Sequence, residues 1–307
     1  MSQSKPSLTI ADVHAVIHRH WNEPVDQIRS MEGGNFSSAF SFTSGSQVYV
    51  IRFALSDEAY ETEHYIAKLL TTQGVLYSKI FVRVKEGPYT FCISERMEGI
   101  AFADLQHEQK VDQLPELVRV ISDMNQVQLD SQTTGYGWIT PSGNGVDSTW
   151  DDYIRAFFAE KQPGSFWDNW YALFETSCLE RDVVEEIYAR LLKYSKYNAP
   201  HRYFGHGDCH EWNILSDGSR IRGIIDSNGI YGDFLIDIAT IESAVPGHDV
   251  AEAFRKHYEK IGVPIPDFQE RMIGARYFKG LDGLRFYAKM GWDHAYVELR
   301  DRLLALP

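Results

Sequence analysis

At 307 residues, 44% of them hydrophobic and 24% charged, the chain is long enough for a large core in one domain or two lobes and has ordinary globular composition. Its net charge of −13 argues against nucleic acid and anionic membrane surfaces as partners, and is compatible with a cationic small molecule. No apolar run approaches the roughly 18–20 residues of a membrane helix, Met1 to Pro6 carry no signal-peptide core, and three scattered cysteines (Cys92, Cys178 and Cys209) fit a reducing cytoplasm and no metal cluster.

Residues 7–21 read as an amphipathic helix, because Ile10, Val13, Ile17 and Trp21 recur at helical spacing. His14 and His18 stand four apart on it. That spacing is open to a metal, but no metal motif surrounds it, and a solvated helix face explains both better. Residues 28–53 read as antiparallel strands with turns at 32–38 and 43–46. In the first turn, Gly33 and Gly34 would let the backbone approach phosphate groups, whose oxygens free N–H groups can cradle. An ordinary hairpin turn is the alternative.

Residues 57–72 read as a helix, and 80–84 with 89–94 as a hairpin turning at 85–88. From Phe102 the pattern becomes helical, with segments at 114–129, 150–160, 179–197, 237–244, 248–261 and 268–290. Residues 135–148 are rich in glycine and read as an irregular loop. Strands first and helices afterwards predict a bilobal α+β architecture, an antiparallel sheet followed by a larger helical lobe.

The chemistry concentrates in His206-Gly207-Asp208-Cys209-His210-Glu211-Trp212-Asn213. Four residues separate Asp208 from Asn213. A short hairpin follows: Ile214-Leu215, a turn at Asp217-Gly218, and a strand returning to Asp226. One carboxylate can accept a hydrogen bond from an attacking hydroxyl. An amide oxygen and a second carboxylate can hold magnesium against nucleotide phosphates, and the spacing is that of a kinase catalytic loop. Asp208 and Asn213 alone could merely cap a turn; the ordered set is more specific. Cys209 reads as a small residue in a crowded loop, not as a nucleophile.

These residues resemble the aminoglycoside phosphotransferase family, which shares the protein-kinase fold. The family's catalytic loop reads His-Gly-Asp, four residues, Asn, as His206 to Asn213 do, and its metal aspartate follows a short hairpin, as Asp226 does. Gly232-Asp233 and Asp237-Ile238-Ala239 look like its next helix. Gly135-Tyr136-Gly137, Thr149-Trp150-Asp151-Asp152-Tyr153-Ile154 and Tyr49-Val50-Ile51-Arg52 look most like the family's hygromycin B branch. The match covers roughly residues 30–244.

The resemblance implies a nucleotide-binding lobe at 1–97 and a helical lobe at 98–307 that holds the catalytic loop and acceptor site. It implies ATP, or another nucleoside triphosphate, and Mg2+ as cofactors. Asp208 would orient the acceptor hydroxyl, Asn213 and Asp226 would hold the metal, and His206 would support the loop. Gly33, Gly34 and Ser37 would form the phosphate-covering turn. Arg52 stands where the fold usually has a phosphate-binding lysine, a change that keeps the charge. Glu63 would orient Arg52, with Glu61 as the competitor. The Glu95 carbonyl and Met97 amide would meet the adenine edge.

A cationic acceptor would be met by carboxylates from Asp151, Asp152, Glu211, Asp233, Glu242, Asp282 and Asp293, with Tyr231 and Trp292 as stacking surfaces. Each is also readable as a solvated or core residue, and Asp233 as an anchor of the catalytic loop. Three functions are consistent with this pattern: an antibiotic kinase acting on an aminoglycoside such as hygromycin B, a metabolic kinase for a sugar or amino alcohol, and a catalytically silent nucleotide-binding regulator. The substitution at Arg52 favours the third; the intact Asp208, Asn213 and Asp226 oppose it.

Overall fold

The computed structural model describes residues 6–31 and 37–307. In chain order the elements are α1 (Ile10–His20), β1 (Asp26–Met31), β2 (Ser38–Ser44), β3 (Gln47–Ala54), α2 (Glu61–Thr71), β4 (Ile80–Glu86), β5 (Tyr89–Glu95) and β6 (Ile100–Ala101). Then come α3 (His107–Asn125), β7 (Tyr136–Ile139), β8 (Gly145–Asp147), α4 (Trp150–Phe157), α5 (Leu173–Thr176), α6 (Arg181–Asn198) and β9 (Tyr203–Gly205). The chain ends with β10 (Ile214–Ser216), β11 (Ile221–Ile224), β12 (Ile230–Gly232), α7 (Leu235–Ile241), α8 (Val250–Lys260), α9 (Phe268–Met290) and α10 (Asp293–Leu304). No helix among the described residues is long and apolar enough to cross a membrane.

The contacts divide these elements into two compact units. The first holds the described residues to Leu105, with Pro141–Gly143 and Trp212–Ser227. Its main sheet has the order β1-β2-β3-β5-β4, with antiparallel neighbours throughout. Thr9 starts α1 by accepting the Asp12 N–H at 3.2 Å, while Asp12 accepts the Thr9 N–H in return. The helix buries Val13, Val16 and Ile17 against Phe40, Phe42, Ile51, Phe53, Phe91 and Ile93 of the sheet. Because side chains alternate along a strand, burying Ile51 and Phe53 on that face sends Arg52 to the other. A second sheet, β11-β10-β6, carries the hairpin that ends at Asp226.

The second unit holds Gln106–Thr140, Asn144–Glu211 and Asn228–Pro307. It combines a four-stranded sheet, β8-β7-β12-β9, with α3 to α10. The long α9 packs against α6, α7 and α10. Close packing with α10 needs Gly280, since a Cβ there would stand 2.4 Å from Leu303 Cδ2. Among the buried side chains, Asp233 and Arg271 form a two-pronged ion pair at 2.8 and 2.9 Å, with Asn198 donating to Asp233 at 2.8 Å.

Two sequence expectations need correction here. Residues 135–148 are not an irregular loop: β7 and β8 form a hairpin, and β7 pairs with the distant β12. Its glycines disguised it, because Gly135, Gly137 and Gly143 all take positive φ and Gly137 must clear the Tyr153 ring. The helix expected at 114–129 begins earlier, at His107, and ends at Asn125, with Pro115 inside it. Proline at that point costs one helical hydrogen bond and hides the preceding turns from a pattern reading. The last helix, α10, was not foreseen.

Candidate active site

In the first unit, β3 delivers Arg52 and α2 delivers Glu63, and the two side chains form an ion pair. Arg83 takes Glu61 instead, at 2.8 Å, so Glu63 is the carboxylate that meets Arg52. Arg52 also lies over the Tyr60 ring at 5.1 Å and faces Cys92 across the β3–β5 ladder. Burial pushes the Cys92 thiol up to about 12, against the pull of Arg52. It is therefore a neutral packing group, not a reactive thiolate.

Asn213 immediately precedes β10, and Asp226 follows β11 by two residues. The Ile225 N–H donates to the Asn213 carbonyl at 3.0 Å, which extends the hairpin by one pair, Asn213 opposite Ile225, and brings the chain to Asp226 one residue beyond it. Asn213 is buried and Asp226 exposed. Asp226 takes φ +57°, a left-handed conformation that aspartate tolerates better than most residues. Together they offer an amide oxygen and a carboxylate. Among the described residues no group of three or more His, Cys, Asp or Glu side chains could hold a metal ion. Two hard oxygen donors, completed by phosphates and water, suit magnesium arriving with a nucleotide.

Glu95 ends β5. Its carbonyl accepts the Ser78 hydroxyl at 2.7 Å, leaving the oxygen's second lone pair. Met97 follows and packs against Gly223 of β11, where a Cβ would stand 2.3 Å from its Cε. Ser37 is half-buried just before β2. Gly33 and Gly34 lie outside the described residues.

In the second unit, the loop after β9 carries His206, Gly207 and Asp208. His206 is fully buried, and its Nδ1 accepts the Asp208 N–H at 3.3 Å, so it braces the loop. Gly207 takes φ +81°, and a Cβ there would stand 2.9 Å from Trp138. The Asp237 carboxylate, from α7, accepts the N–H groups of both His206 and Gly207. It also accepts the Asn125 amide at 2.8 Å. Lys279, from α9, donates to the Gly207 carbonyl at 3.2 Å. Sequence reading gave Asp237, Asn125 and Lys279 no site role. Asp237 stood within a family motif, which was the available signal; the other two are distant in sequence and carried none.

Asp208 is half-exposed and pairs with His210 at 3.5 Å. Burial raises its carboxyl, but the His210 hydrogen bond and the charges of Lys279, His210 and His206 outweigh this and hold it below the ordinary carboxylate range. The same hydrogen bond raises His210, against the effect of burial. Burial drives the Cys209 thiol far above its ordinary value, so it is neutral beside Asp208.

The acceptor candidates divide. Asp233 and Tyr231 are corrected: Asp233 is sealed against Arg271, and Tyr231 is fully buried with Arg202 stacked 4.2 Å over its ring. Neither presents a surface to a ligand. Asp152 is exposed but accepts the Thr149 hydroxyl at 2.7 Å in the N-cap of α4. Glu211 pairs with Lys110 at 3.4 Å, Glu242 with Arg276 and Asp282 with Arg285, both at 2.9 Å. Asp151 is exposed in the first turn of α4.

The sequence profile described as "Phosphotransferase enzyme family" matches residues 27–267. Hygromycin-B 4-O-kinase of Escherichia coli is 24% identical over 258 residues, spanning 83% of this chain and 73% of that protein. The crystal structure of aminoglycoside phosphotransferase APH(4)-Ia superposes with a TM-score of 0.74 at 22% identity, covering 97% of this chain and 98% of that one. A thermostable mutant of that enzyme, in ternary complex with AMP-PNP and hygromycin B, gives 0.72 at 23% identity, with 95% and 96% covered. Spectinomycin phosphotransferase APH(9)-Ia gives 0.64 at 13% identity, with 98% and 99% covered.

Proposed function

Because the chain belongs to the phosphotransferase enzyme family and has the protein-kinase-like fold, we propose that it moves the γ-phosphoryl group of ATP to a hydroxyl of an aminoglycoside, with hygromycin B the first acceptor to try. The observation that carries this reading is the hairpin closure, in which the Ile225 N–H bond to the Asn213 carbonyl sets Asn213 opposite the residue that precedes Asp226, in the segment just downstream of Asp208. The likeness to hygromycin-B 4-O-kinase over most of both chains supports the choice of acceptor.

Each residue then has a distinct task. Arg52, oriented by Glu63, meets the α and β phosphates through a planar fork. Backbone groups of Glu95 and Met97 hold the adenine edge, and Gly33, Gly34 and Ser37 cover the phosphates. Asn213 and Asp226 would hold a magnesium ion, which supplies neutralising charge to the phosphates. The acceptor oxygen bonds to the γ-phosphorus as the bond to the β–γ bridging oxygen breaks, and ADP leaves with that electron pair. The hydroxyl proton passes to Asp208. A carboxylate held below its ordinary range is a poor base for an unreacted alcohol, so it orients the hydroxyl first and takes the proton late. The nucleotide falls to residues 1–97 and the acceptor to residues 98–307. Asp151 is the first acceptor carboxylate to test, followed by Asp152 and Glu211, which already have partners.

An ATP-consumption screen over aminoglycosides, neutral sugars and choline-like alcohols tests this reading. Turnover with hygromycin B or another cationic aminoglycoside supports it. Efficient turnover of a neutral sugar or simple alcohol alone would replace the acceptor, and no acceptor-dependent turnover at all would overturn the transferase reading.

A further inference from the structure

The segment between α2 and β4 meets the returning strand of the catalytic hairpin. Tyr77 forms an isolated parallel bridge with Ile224, and the Ile224 N–H donates to the Leu76 carbonyl at 2.8 Å. Two residues on, the chain reaches Asp226 in its left-handed conformation, which persists only if its surroundings hold it. The Ser227 N–H donates to the Tyr77 hydroxyl oxygen at 3.3 Å. This bond uses the phenol as acceptor and leaves its own proton available to donate. The charged groups acting on the phenol are Glu63, Asp226 and Arg52. The two bonds join the segment between α2 and β4 to the turn that carries Asp226.

Tyr77 is only 5% exposed, and phenylalanine would fill the same space. A hydroxyl carried into such a position loses its water, so its retention calls for a partner it serves. We propose that Tyr77 is a positioning residue whose hydroxyl ties down the Asp226 turn, and so sets how well that turn receives a metal-bound nucleotide. The tether stands on the geometry alone; its effect on metal-dependent binding rests on the proposed role of Asp226.

Tyr77→Phe removes one oxygen and keeps the ring. In the full chain, free of metal and nucleotide, amide hydrogen exchange at Ser227 should quicken by roughly 2–10-fold, the worth of one net hydrogen bond, with β2 and β3 unchanged. The magnesium concentration giving half-maximal nucleotide binding should rise by a similar factor, roughly 2–10-fold, with acceptor KM unaltered. Unchanged exchange at Ser227 overturns the tether, whatever happens to the melting temperature. Faster exchange with an unchanged magnesium requirement overturns the positioning role, provided Asp226→Ala abolishes that requirement. If Asp226→Ala also leaves it intact, the metal assignment of Asp226 has failed and the exchange result alone decides the tether.

Discussion

The Asp237 carboxylate accepts the His206 amide hydrogen at 2.7 Å, and through that bond α7 fixes the loop carrying Asp208. The second oxygen takes the Gly207 N–H at 3.1 Å. Asp237→Asn turns an NH2 group toward one of these donors and cannot satisfy both. Chemical denaturation should show a stability loss on the order of 1.5–3 kcal/mol, the range for hydrogen bonds to a charged group. Turnover should fall while nucleotide affinity holds. A variant with normal turnover would mean the loop keeps its shape without α7.

The buried Arg271–Asp233 pair makes a contrasting prediction. Both side chains are essentially sealed from water, at 1% and 0% exposure. Removing one partner strands the other charge, so Arg271→Ala should lose about 3–5 kcal/mol of stability. Arg271→Met with Asp233→Leu should recover much of it. Acceptor KM, measured on the folded double variant, should be close to that of the unaltered protein. A selective rise would return Asp233 to the acceptor site.

These two residues also mark what the sequence could reveal. The loop motif around Asp208, Asn213 and Asp226 stands out in the sequence because the proposed chemistry would require fixed residue types at short, fixed spacings. The sheet carrying Arg52 and the long helix α9 were legible because strand alternation and helical periodicity are local. Asp233 was misleading because burial depends on Arg271 and Asn198, which approach only in the folded chain. The β7–β8 hairpin was illegible for a similar reason, since its partner β12 lies far along the chain. Glu63 could be preferred to Glu61 by analogy alone; packing shows which one faces Arg52.

The Asp208–His210 pair should make stability depend on pH. His210 is raised in the folded chain, so its contribution is present below its unfolded value and lost as pH rises through the folded one. Asp208 is lowered, so its contribution is present above its unfolded value and lost as pH falls through the folded one. The pair therefore helps most between about pH 4 and 6.5, taking ordinary unfolded values. Both groups are half-exposed, which limits the gain to about 1 kcal/mol or less. His210→Gln should lower the melting temperature more at about pH 5.5 than at about pH 8.5. Equal losses at both would show that the pair contributes no charge-dependent stability.

A cationic acceptor held by exposed carboxylates should feel salt. Screening acts over about 8–10 Å at ordinary ionic strength. Acceptor KM should rise with salt more steeply than ATP KM, and Asp151→Asn should raise acceptor KM with little effect on kcat. If ATP KM proves the more salt-sensitive, charge is not what selects the acceptor.

The most direct measurement is phosphorus NMR of the products formed from ATP, magnesium and hygromycin B, with the unaltered chain and with Asp208→Asn. The unaltered chain should yield ADP and a phosphate monoester on the aminoglycoside in equal amounts. Asp208→Asn should bind ATP normally yet form the ester about 10²–10⁴-fold more slowly, the range for a lost general base. Ester formation undiminished in Asp208→Asn, or ADP appearing only with free phosphate, would contradict the account.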